Sequence, residues 1–538
     1  MLLVTSAEMK MLDATLLEEV GIAAPALMES VGLRIAQLVI DLVDGVGESE
    51  FIGERSASAK RSTKRTPMIA VVVGKGHNGA DGLVAARYLH AFGYEVRVWL
   101  AVEEWELATF TQGQFGAYRK LQGKLANEMD DFAQADVIID AILGNGSSLP
   151  VRDQIRPLLC AINRAKRPVV AVDLPTGLDA DTGQVDPDCI AAKVTVACGF
   201  AKPGLYVQPG KSRVGRVVVA PLTMTYSMAK AQGAHHYLVT EHEVARGYRP
   251  RPQNSHKGVF GRIGVLAGSE GMYGAARLTV EAAYRAGAGL VHYFAPEDLA
   301  SPWLTAFPAE VVVRRYAGRT GVGSQTAIES LVSLLHEMDA GVLGPGIGKG
   351  LQTQIGVGFA FADVTIPLVL DADFLQMLAA SGDQGRNWFA RRKQSTVITP
   401  HPKEFAQLLT CSVSDVQANR LRYAREYAVA TRAVVVLKGS GTVIAAPEGT
   451  VWINQTGNSG LATGGTGDVL AGLIGGLLAS GYDAKMAAMI GVYVHGKAAE
   501  CACEKQQSEE SLLASDLLQW IGPAFRQISW EMDISLDG

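Results

Sequence analysis

Residues 457–472 read GNSGLATGGTGDVLAG and run into the apolar stretch VLAGLIGGLLA, so one carboxylate, Asp468, stands between a glycine-rich loop and a buried helix. Successive glycines let backbone amides close around an anion, usually a phosphate, where a helix begins. Aspartate at that place is also a favoured helix cap that complements the positive end of the helix dipole. A phosphate site does not normally add a negative charge of its own, so bound phosphate would leave Asp468 to handle a proton or a metal. Upstream, AVVVLKGSGT puts Lys438 after an apolar strand and before glycines and hydroxyls, a set able to hold a polyphosphate. The spacing is not that of a Walker A loop, in which the lysine follows the glycines. His401, in TPHP, is a lone histidine, and such residues are more often structural than reactive.

A second group of reactive side chains lies in the first half. MIAVVVGKGHNGADGLVAARYL contains Gly74-x-Gly76-x-x-Gly79 between a strand and a helix, which satisfies the dinucleotide phosphate fingerprint. A dehydrogenase would add an acidic residue at the end of the next strand, where Glu103 is the candidate. That reading leaves the polar trio His77, Asn78 and Asp81 unexplained. Two more carboxylates stand at strand ends, Asp140 in DAILGNG and Asp173 in DLPTG. Each alone reads as a turn or cap residue. Together with Asn78 and Thr176 they offer hard oxygen ligands suited to a cation.

These groups need a scaffold, and the apolar runs supply it. MIAVVV (68–73), EVRVWL (95–100), ADVIIDAIL (135–143), PVVAVDLP (168–175), KVTVACG (193–199) and RVVVAPL (216–222) alternate with helical patterns. Continuous apolar runs of this length predict a parallel sheet covered on both faces. The alternation restarts with GRIGVLAGS, GLVHYFAP, AGVLGPGIG, PLVLDADF, STVITPHP, AVVVLKG, TVIAAPE and TVWINQT, with helices expected over 467–481 and 483–503. Two further helices are expected over 6–20 and 25–43. The fold class is α/β with two domains, 1–225 doubly wound and 240–525, joined by a linker at 226–239 and followed by a tail at 526–538. Residues 46–67 are polar, basic and aperiodic, which predicts a mobile surface insertion.

Net charge of −5 argues against nucleic acid or a membrane surface as partner, so substrates must be read from local sites. Six scattered cysteines form no zinc pattern and suit a reduced compartment. Glu8, Lys10 and Asp13 interrupt the N-terminus before a signal-peptide core can form, and no uncharged run approaches membrane-spanning length. A cytoplasmic protein is expected.

The later motifs also carry a family resemblance. HKGVFGRIGVLAGSEGMYGAARLTVEAAYRAGAGLV (256–291), GPGIG, DADF, TPHPKEF, KGSGT and TGNSGLATGGTGDVLAG occur in the order and spacing that resemble the ADP/ATP-dependent NAD(P)H-hydrate dehydratases, over residues 240–520. The resemblance implies a ribokinase-like fold and nucleotide-dependent dehydration of nicotinamide cofactor hydrated at C6 of the ring. By position, Lys438, Gly439, Ser440, Gly441, Thr442 and Gly467 would contact the nucleotide. Ala275, Gly346, Gly348, His401 and Asp468 would face the hydrate, with Asp468 as general base. The amides of residues 465–467 would stabilise the transferring phosphoryl group. DADF departs from the usual DADAL at Phe374, a packing change.

Residues 1–225 resemble the NAD(P)H-hydrate epimerases, whose loop usually reads NNGGDG. Here it reads HNGADG, so His77 and Ala80 depart while Asn78, Asp81 and Gly82 keep their places; Thr176 stands where serine is common. The resemblance implies K⁺ bound by Asn78, Asp140 and Thr176. It implies hydrate held by His77, Asn78, Gly79, Ala80 and Asp81, by Gly144, Asn145, Gly146, Ser147, Ser148, Leu149 and Pro150, and by Asp173, the acid/base candidate. Together the halves imply repair of NADHX and NADPHX: inversion at C6, then dehydration of the S form with ADP giving AMP and phosphate. Mg²⁺ is expected with the nucleotide, ADP rather than ATP because fused domains resemble the bacterial arrangement, and a homo-oligomer is expected. The alternatives are a small-molecule hydroxyl kinase of the ribokinase-like group, and a nucleotide-responsive binding protein whose first domain has lost catalysis.

Overall fold

The computed structural model describes residues 1–45, 65–299, 306–317, 325–348, 361–505 and 507–536. Most of the expected insertion at 46–67 lies outside them. The chain divides into two compact units, Leu2–His236, and Tyr237–Gly538 together with Met1.

In the first unit, two helices, α1 (Ser6–Ala14) and α2 (Ala24–Asp44), precede the sheet. A single π turn, Thr15–Glu19, extends α1, so the periodic pattern over 6–20 is helical nearly throughout. Then come β1 (Met68–Val73), α3 (His77–Ala91), β2 (Glu95–Leu100), α4 (Thr109–Lys120) and β3 (Lys124–Leu125). They are followed by β4 (Val137–Ala141), β5 (Val169–Val172), β6 (Val194–Cys198) and β7 (Arg216–Ala220). Among the described residues the sheet runs β3-β2-β1-β4-β5-β6-β7, parallel throughout. Every residue of β1, β4 and β5 is buried, as strands covered on both faces must be. The strand order reverses between β1 and β4, the point at which open α/β sheets leave a crevice for ligands. The loops after those strands meet there. A Cβ on Gly74 would stand 1.8 Å from the Ile142 carbonyl oxygen, so glycine is obligatory at the first fingerprint position.

The second unit begins with β8 (Arg262–Leu266), α5 (Tyr273–Arg285), β9 (Leu290–Pro296), β10 (Val312–Tyr316) and β11 (Ala340–Leu343). Next are β12 (Leu368–Leu370), α6 (Asp373–Ala380), β13 (Thr396–Ile398), α7 (Pro402–Leu409), α8 (Arg420–Thr431) and β14 (Val434–Leu437). β15 (Thr442–Ala445), β16 (Val451–Asn454), α9 (Thr466–Ala479), α10 (Ala484–Lys505) and α11 (Ala514–Leu536) complete it. These strands run β16-β15-β14-β13-β12-β11-β8-β9-β10, with only the β14-β15-β16 pairs antiparallel. The reversal here falls between β8 and β11.

Helix α9 crosses the core pressed against α5. A Cβ on Gly472 would lie 2.2 Å from the Thr279 carbonyl oxygen, and one on Gly476 2.5 Å from that of Ala283. The glycines inside VLAGLIGGLLA therefore allow two helices to touch along their backbones, which fixes where the first turn of α9 sits. The stretch expected as a tail from 526 onward is instead helical to Leu536, and Ile528 is fully buried in the core. No described helix is long and apolar enough to cross a membrane.

Candidate active sites

In the second unit, Asp468 stands in the first turn of α9, behind Gly465 in left-handed conformation (φ 93°). The helix has no side-chain cap, so the capping role open to Asp468 is not the one it plays. What surrounds it is charge. Lys438, at the end of β14, donates to Asp371 Oδ1 at 2.8 Å, and Asp371 is 1% exposed. A Cβ built on Gly467 would lie 3.2 Å from Lys438 Nζ and 3.8 Å from Asp371 Oδ2, so the glycine is the gap through which this ion pair reaches the helix start. Burial, then the Asp371 carboxylate, then Asp373, push the Asp468 pKa up to about 7 against the pull of Lys438. Burial also works against the Lys438 ammonium, but Asp371 and Glu404 outweigh it and raise its pKa. Asp468 is thus a base poised near neutral pH, beside a cation already claimed by another carboxylate.

The loops at the strand reversal meet nearby. Gly268 N donates to the Pro345 carbonyl at 2.7 Å, a Cβ on Gly346 would lie 3.0 Å from Ala275 Cβ, and Gly348 N donates to Asp373 Oδ2 at 2.9 Å. Ala275, Gly346 and Gly348 therefore share one wall with Asp373. His401 caps α7, its Nδ1 accepting from the amides of Lys403 and Glu404 at 3.1 and 3.3 Å. Burial and Lys438 lower its pKa, so the ring is neutral, with Nε2 3.3 Å from Glu404 Oε1. The structural role of His401 is real, yet its half-exposed ring also borders the Lys438–Asp371 pair. Behind the helix start, His495 on α10 is 8% exposed and bonds the Thr466 carbonyl through Nε2 at 2.9 Å; burial lowers its pKa to about 4.

In the first unit the centre is Asp173, held at φ 64° just past β5, a left-handed conformation that a non-glycine residue adopts only when its surroundings impose it. Its Oδ1 accepts from Lys202 Nζ at 2.5 Å and from Cys198 N at 3.2 Å; Oδ2 accepts from Asn145 N at 3.0 Å. Lys202 is 1% exposed and also donates to the Cys198 carbonyl. Asp81, one turn into α3, has its pKa raised well above the usual range by burial and then by Asp173 and Asp13. Asp13, on α1, is raised by burial and feels Lys202, Asp173 and His77. Three carboxylates and one buried lysine thus converge at the mouth of the strand reversal.

Beside them, Asp140 is fully buried. Its Oδ1 accepts the Thr176 hydroxyl at 2.7 Å, its Oδ2 accepts Thr176 N at 2.8 Å, and burial lifts its pKa to about 6. Asn78 Oδ1 would touch a Cβ on Gly144 at 3.0 Å, while Asn78 Nδ2 and Asn145 Oδ1 are buried with no hydrogen-bond partner.

Residues 24–204 match the family described as YjeF-related protein N-terminus, and residues 263–522 the family described as NAD(P)H-hydrate dehydratase. The chain is 36% identical over 550 residues to the bifunctional NAD(P)H-hydrate repair enzyme of Moorella thermoacetica, covering 99% of this chain and 98% of that one. The chain belongs to the bifunctional NAD(P)H-hydrate repair enzyme family. The Escherichia coli bifunctional NAD(P)H-hydrate repair enzyme is 34% identical, covering 83% of each chain. Among solved structures, the Bacillus subtilis ADP/ATP-dependent NAD(P)H-hydrate dehydratase co-crystallised with ATP/Mg²⁺ is 31% identical with a TM-score of 0.45, covering 54% of this chain and 98% of that one.

Within this repair-enzyme framework, most residues singled out from sequence come together. Lys438, Gly467, Asp468 and His401 surround Asp371, and Gly439, Ser440, Gly441 and Thr442 continue the chain from Lys438. In the first unit, Asn145 reaches Asp173 directly and Gly144 reaches Asn78. Gly79 packs on the Gly74 carbonyl, where a Cβ would come within 2.1 Å, and Ala80 is buried. These two shape the loop. Exposed His77 sets its ring edge-on to Phe110, centroids 5.7 Å apart. Ser147 closes a turn on the Gly144 carbonyl beside exposed Gly146. Ser148, Leu149 and Pro150 lead away to Val151, whose amide is held by Asp186. Glu103, the acid a dehydrogenase would need, closes a capping box with Glu106 over a short 3-10 turn. Sequence reasoning passed over Lys202, Asp13, Glu404, His495 and Arg420. Of these, only Lys202 left a signal, as the single charge in the apolar stretch CGFAKPGLY.

Proposed function

We propose that the first unit interconverts the R and S forms of NADHX and NADPHX, and that the second dehydrates the S form with ADP as co-substrate, releasing NAD(P)H, AMP and phosphate. The observation that carries the second activity is Asp468, a carboxylate of pKa about 7 at a glycine-lined helix start beside Lys438. Hydroxide is a poor leaving group at C6. Asp468 takes the C6 hydroxyl proton as that oxygen attacks the terminal phosphoryl group of ADP and AMP departs. Lys438 and the amides of residues 465–467 stabilise charge on the phosphoryl group in flight. The N1 lone pair then expels phosphate from C6, and loss of a C5 proton restores the dihydropyridine. In sum, NADHX and ADP give NADH, AMP and phosphate.

No trio of His, Cys, Asp or Glu side chains among the described residues would hold a metal alone. Mg²⁺ commonly binds through one or two carboxylates together with substrate phosphates, and Asp371 and Asp373 supply hard oxygens of that kind. When bound, it would neutralise phosphate charge. The K⁺ site draws on Asn78, Asp140 and Thr176, whose donors are likewise oxygens, and the unpartnered amide of Asn78 marks that pocket as polar. K⁺ there would fix the loops after β1 and β4.

Epimerisation at C6 needs a group that takes and returns the hydroxyl proton while the C6–N1 bond opens to an aldehyde and recloses on the other face. Asp173, paired with Lys202, takes that proton; Asp81, whose pKa is raised by burial and by Asp173 and Asp13, supplies one to N1. Six free cysteines support a reducing, cytoplasmic setting.

The test is incubation with NADHX epimers and ADP or ATP, following NADH absorbance and the epimer ratio by chromatography. NADH regeneration at the expense of nucleotide is expected. A stable phosphorylated product would make the second unit a hydroxyl kinase instead.

A further inference from the structure

Arg420 opens α8 and is 5% exposed. Its guanidinium donates to the carbonyl oxygens of Leu437 at 3.0 Å, Lys438 at 3.2 Å and Gly441 at 3.5 Å, and to Gln417 Oε1 at 3.1 Å. Thr442 Oγ1 donates to the Gly439 carbonyl at 2.9 Å. Two carbonyls of the KGSGT turn, those of Lys438 and Gly441, are therefore held on one buried cation, and that of Gly439 is held by the turn's own threonine.

A peptide unit is planar and trans, so its N–H points opposite to its C=O. With the Lys438 carbonyl turned in to Arg420 and the Gly439 carbonyl turned to the Thr442 hydroxyl, the amides of Gly439 and Ser440 point away from those partners, on residues that are exposed. A turn that presents successive amides on one side is an anion-binding concavity. Gly439 is part of the same device. At φ 143° its Cβ position lies 3.1 Å from two guanidinium nitrogens, so a side chain there would push the turn off its support. Lysine could not substitute for Arg420 without loss, because three rotating donors on a point charge do not reproduce a planar fork with five.

We propose that Arg420 is a positioning residue that sets nucleotide affinity in the dehydratase unit by fixing the peptide planes of residues 438–441. It touches no substrate; it acts through the turn. The assignment rests on the nucleotide site proposed above.

The test compares Arg420→Lys and Arg420→Met with wild type in steady-state dehydration of S-NADHX, varying ADP and the hydrate separately. Loss of hydrogen bonds to a buried charged donor predicts a nucleotide KM raised about ten- to a hundredfold. The hydrate KM and the kcat at saturating nucleotide should stay within about twofold, the signature of lost uniform binding. Epimerisation should be untouched. Should Arg420→Met fail to fold by thermal melting, Arg420→Lys carries the test, because it keeps the charge in place.

An unchanged nucleotide KM in a folded Arg420→Lys protein would overturn the proposal. So would equal rises in both KM values, which a general loosening of the unit would give. A wild-type protein that consumes no nucleotide with NADHX would instead refute the functional reading.

Discussion

Replacing Asp468 by asparagine should abolish dehydration and, at the same time, stabilise the unit that carries it. The second effect follows from the pKa. The Asp468 carboxyl rises from 3.8 to about 7 on folding, so the folded state holds a proton that the unfolded state has already released between those values. Stability contributed by that proton is complete below pH 3.8, declines across the interval and is lost above about 7. About three pH units at ~1.36 kcal/mol each set a ceiling of ~4 kcal/mol for the cost of the ionised form at pH 8. Residual solvent contact of this partly exposed side chain cuts that to roughly 2 kcal/mol. Asparagine is neutral at every pH and matches the protonated acid in shape. Differential scanning calorimetry at pH 8 should therefore show the Asp468→Asn dehydratase transition higher by roughly 3 °C. At pH 5 the gap should shrink to roughly two-fifths of that, because wild type has crossed only that fraction of the interval. Turnover should vanish while nucleotide binding persists. If the variant melts no higher than wild type at pH 8, if the gap does not narrow toward acid, or if turnover stays near normal, the buried-base reasoning is wrong.

Three other outcomes are expected. Asp371→Asn removes a like charge from Asp468 and frees Lys438 to face it, so the acid limb of kcat/KM for dehydration should move down by about one pH unit; an unmoved limb would contradict the charge assignment. Lys202→Met leaves Asp173 buried without its cation, which should lower the melting transition of the epimerase unit by an amount set by roughly 3–5 kcal/mol. The same variant should epimerise at least about tenfold more slowly while still dehydrating S-NADHX, and equal loss of both activities would point to global unfolding. Exchanging K⁺ for Na⁺ should slow epimerisation and leave dehydration unchanged, and Asp140→Asn should make epimerisation indifferent to the cation; cation dependence in the dehydratase assay alone would refute the site.

The scaffold was legible because its signal is local. MIAVVV coincides with β1 residue for residue, since a strand buried on both faces must be apolar throughout, and EVRVWL coincides with β2, whose Glu95 and Arg97 lie on a half-buried face. The helix expected over 467–481 runs from Thr466 to Ala479, announced by the glycines before it and the apolar residues within it. Roles that depend on a distant partner were not legible. Lys202 lies 29 positions from Asp173 in sequence and 2.5 Å from it in space, and no spacing rule connects them. Arg420 reads as one basic residue among several in NRLRYAR, and only the fold turns it inward beneath the KGSGT turn. The capping role open to Asp468 failed for a related reason. A left-handed glycine starts the helix by itself, leaving the carboxylate for the charge cluster that folding assembles.

The two units use the same pair of residue types in opposite ways. In the first, a buried lysine pairs with the carboxylate proposed as acid/base: Lys202 grips Asp173, which is also fixed by two amides and by its left-handed backbone. In the proposed epimerisation that carboxylate takes the hydroxyl proton while Asp81, whose pKa burial raises, supplies one to N1. In the second, Lys438 is engaged by Asp371, so Asp468 keeps no direct partner and titrates near neutrality. That division suits phosphoryl transfer. A lysine left to the base would be withdrawn from incoming phosphate. Asp371 holds the cation at the helix start, beside the glycines of GGTGD. A side chain at residue 467 would put its Cβ 3.2 Å from the ammonium, in the space between it and the opening turn of α9.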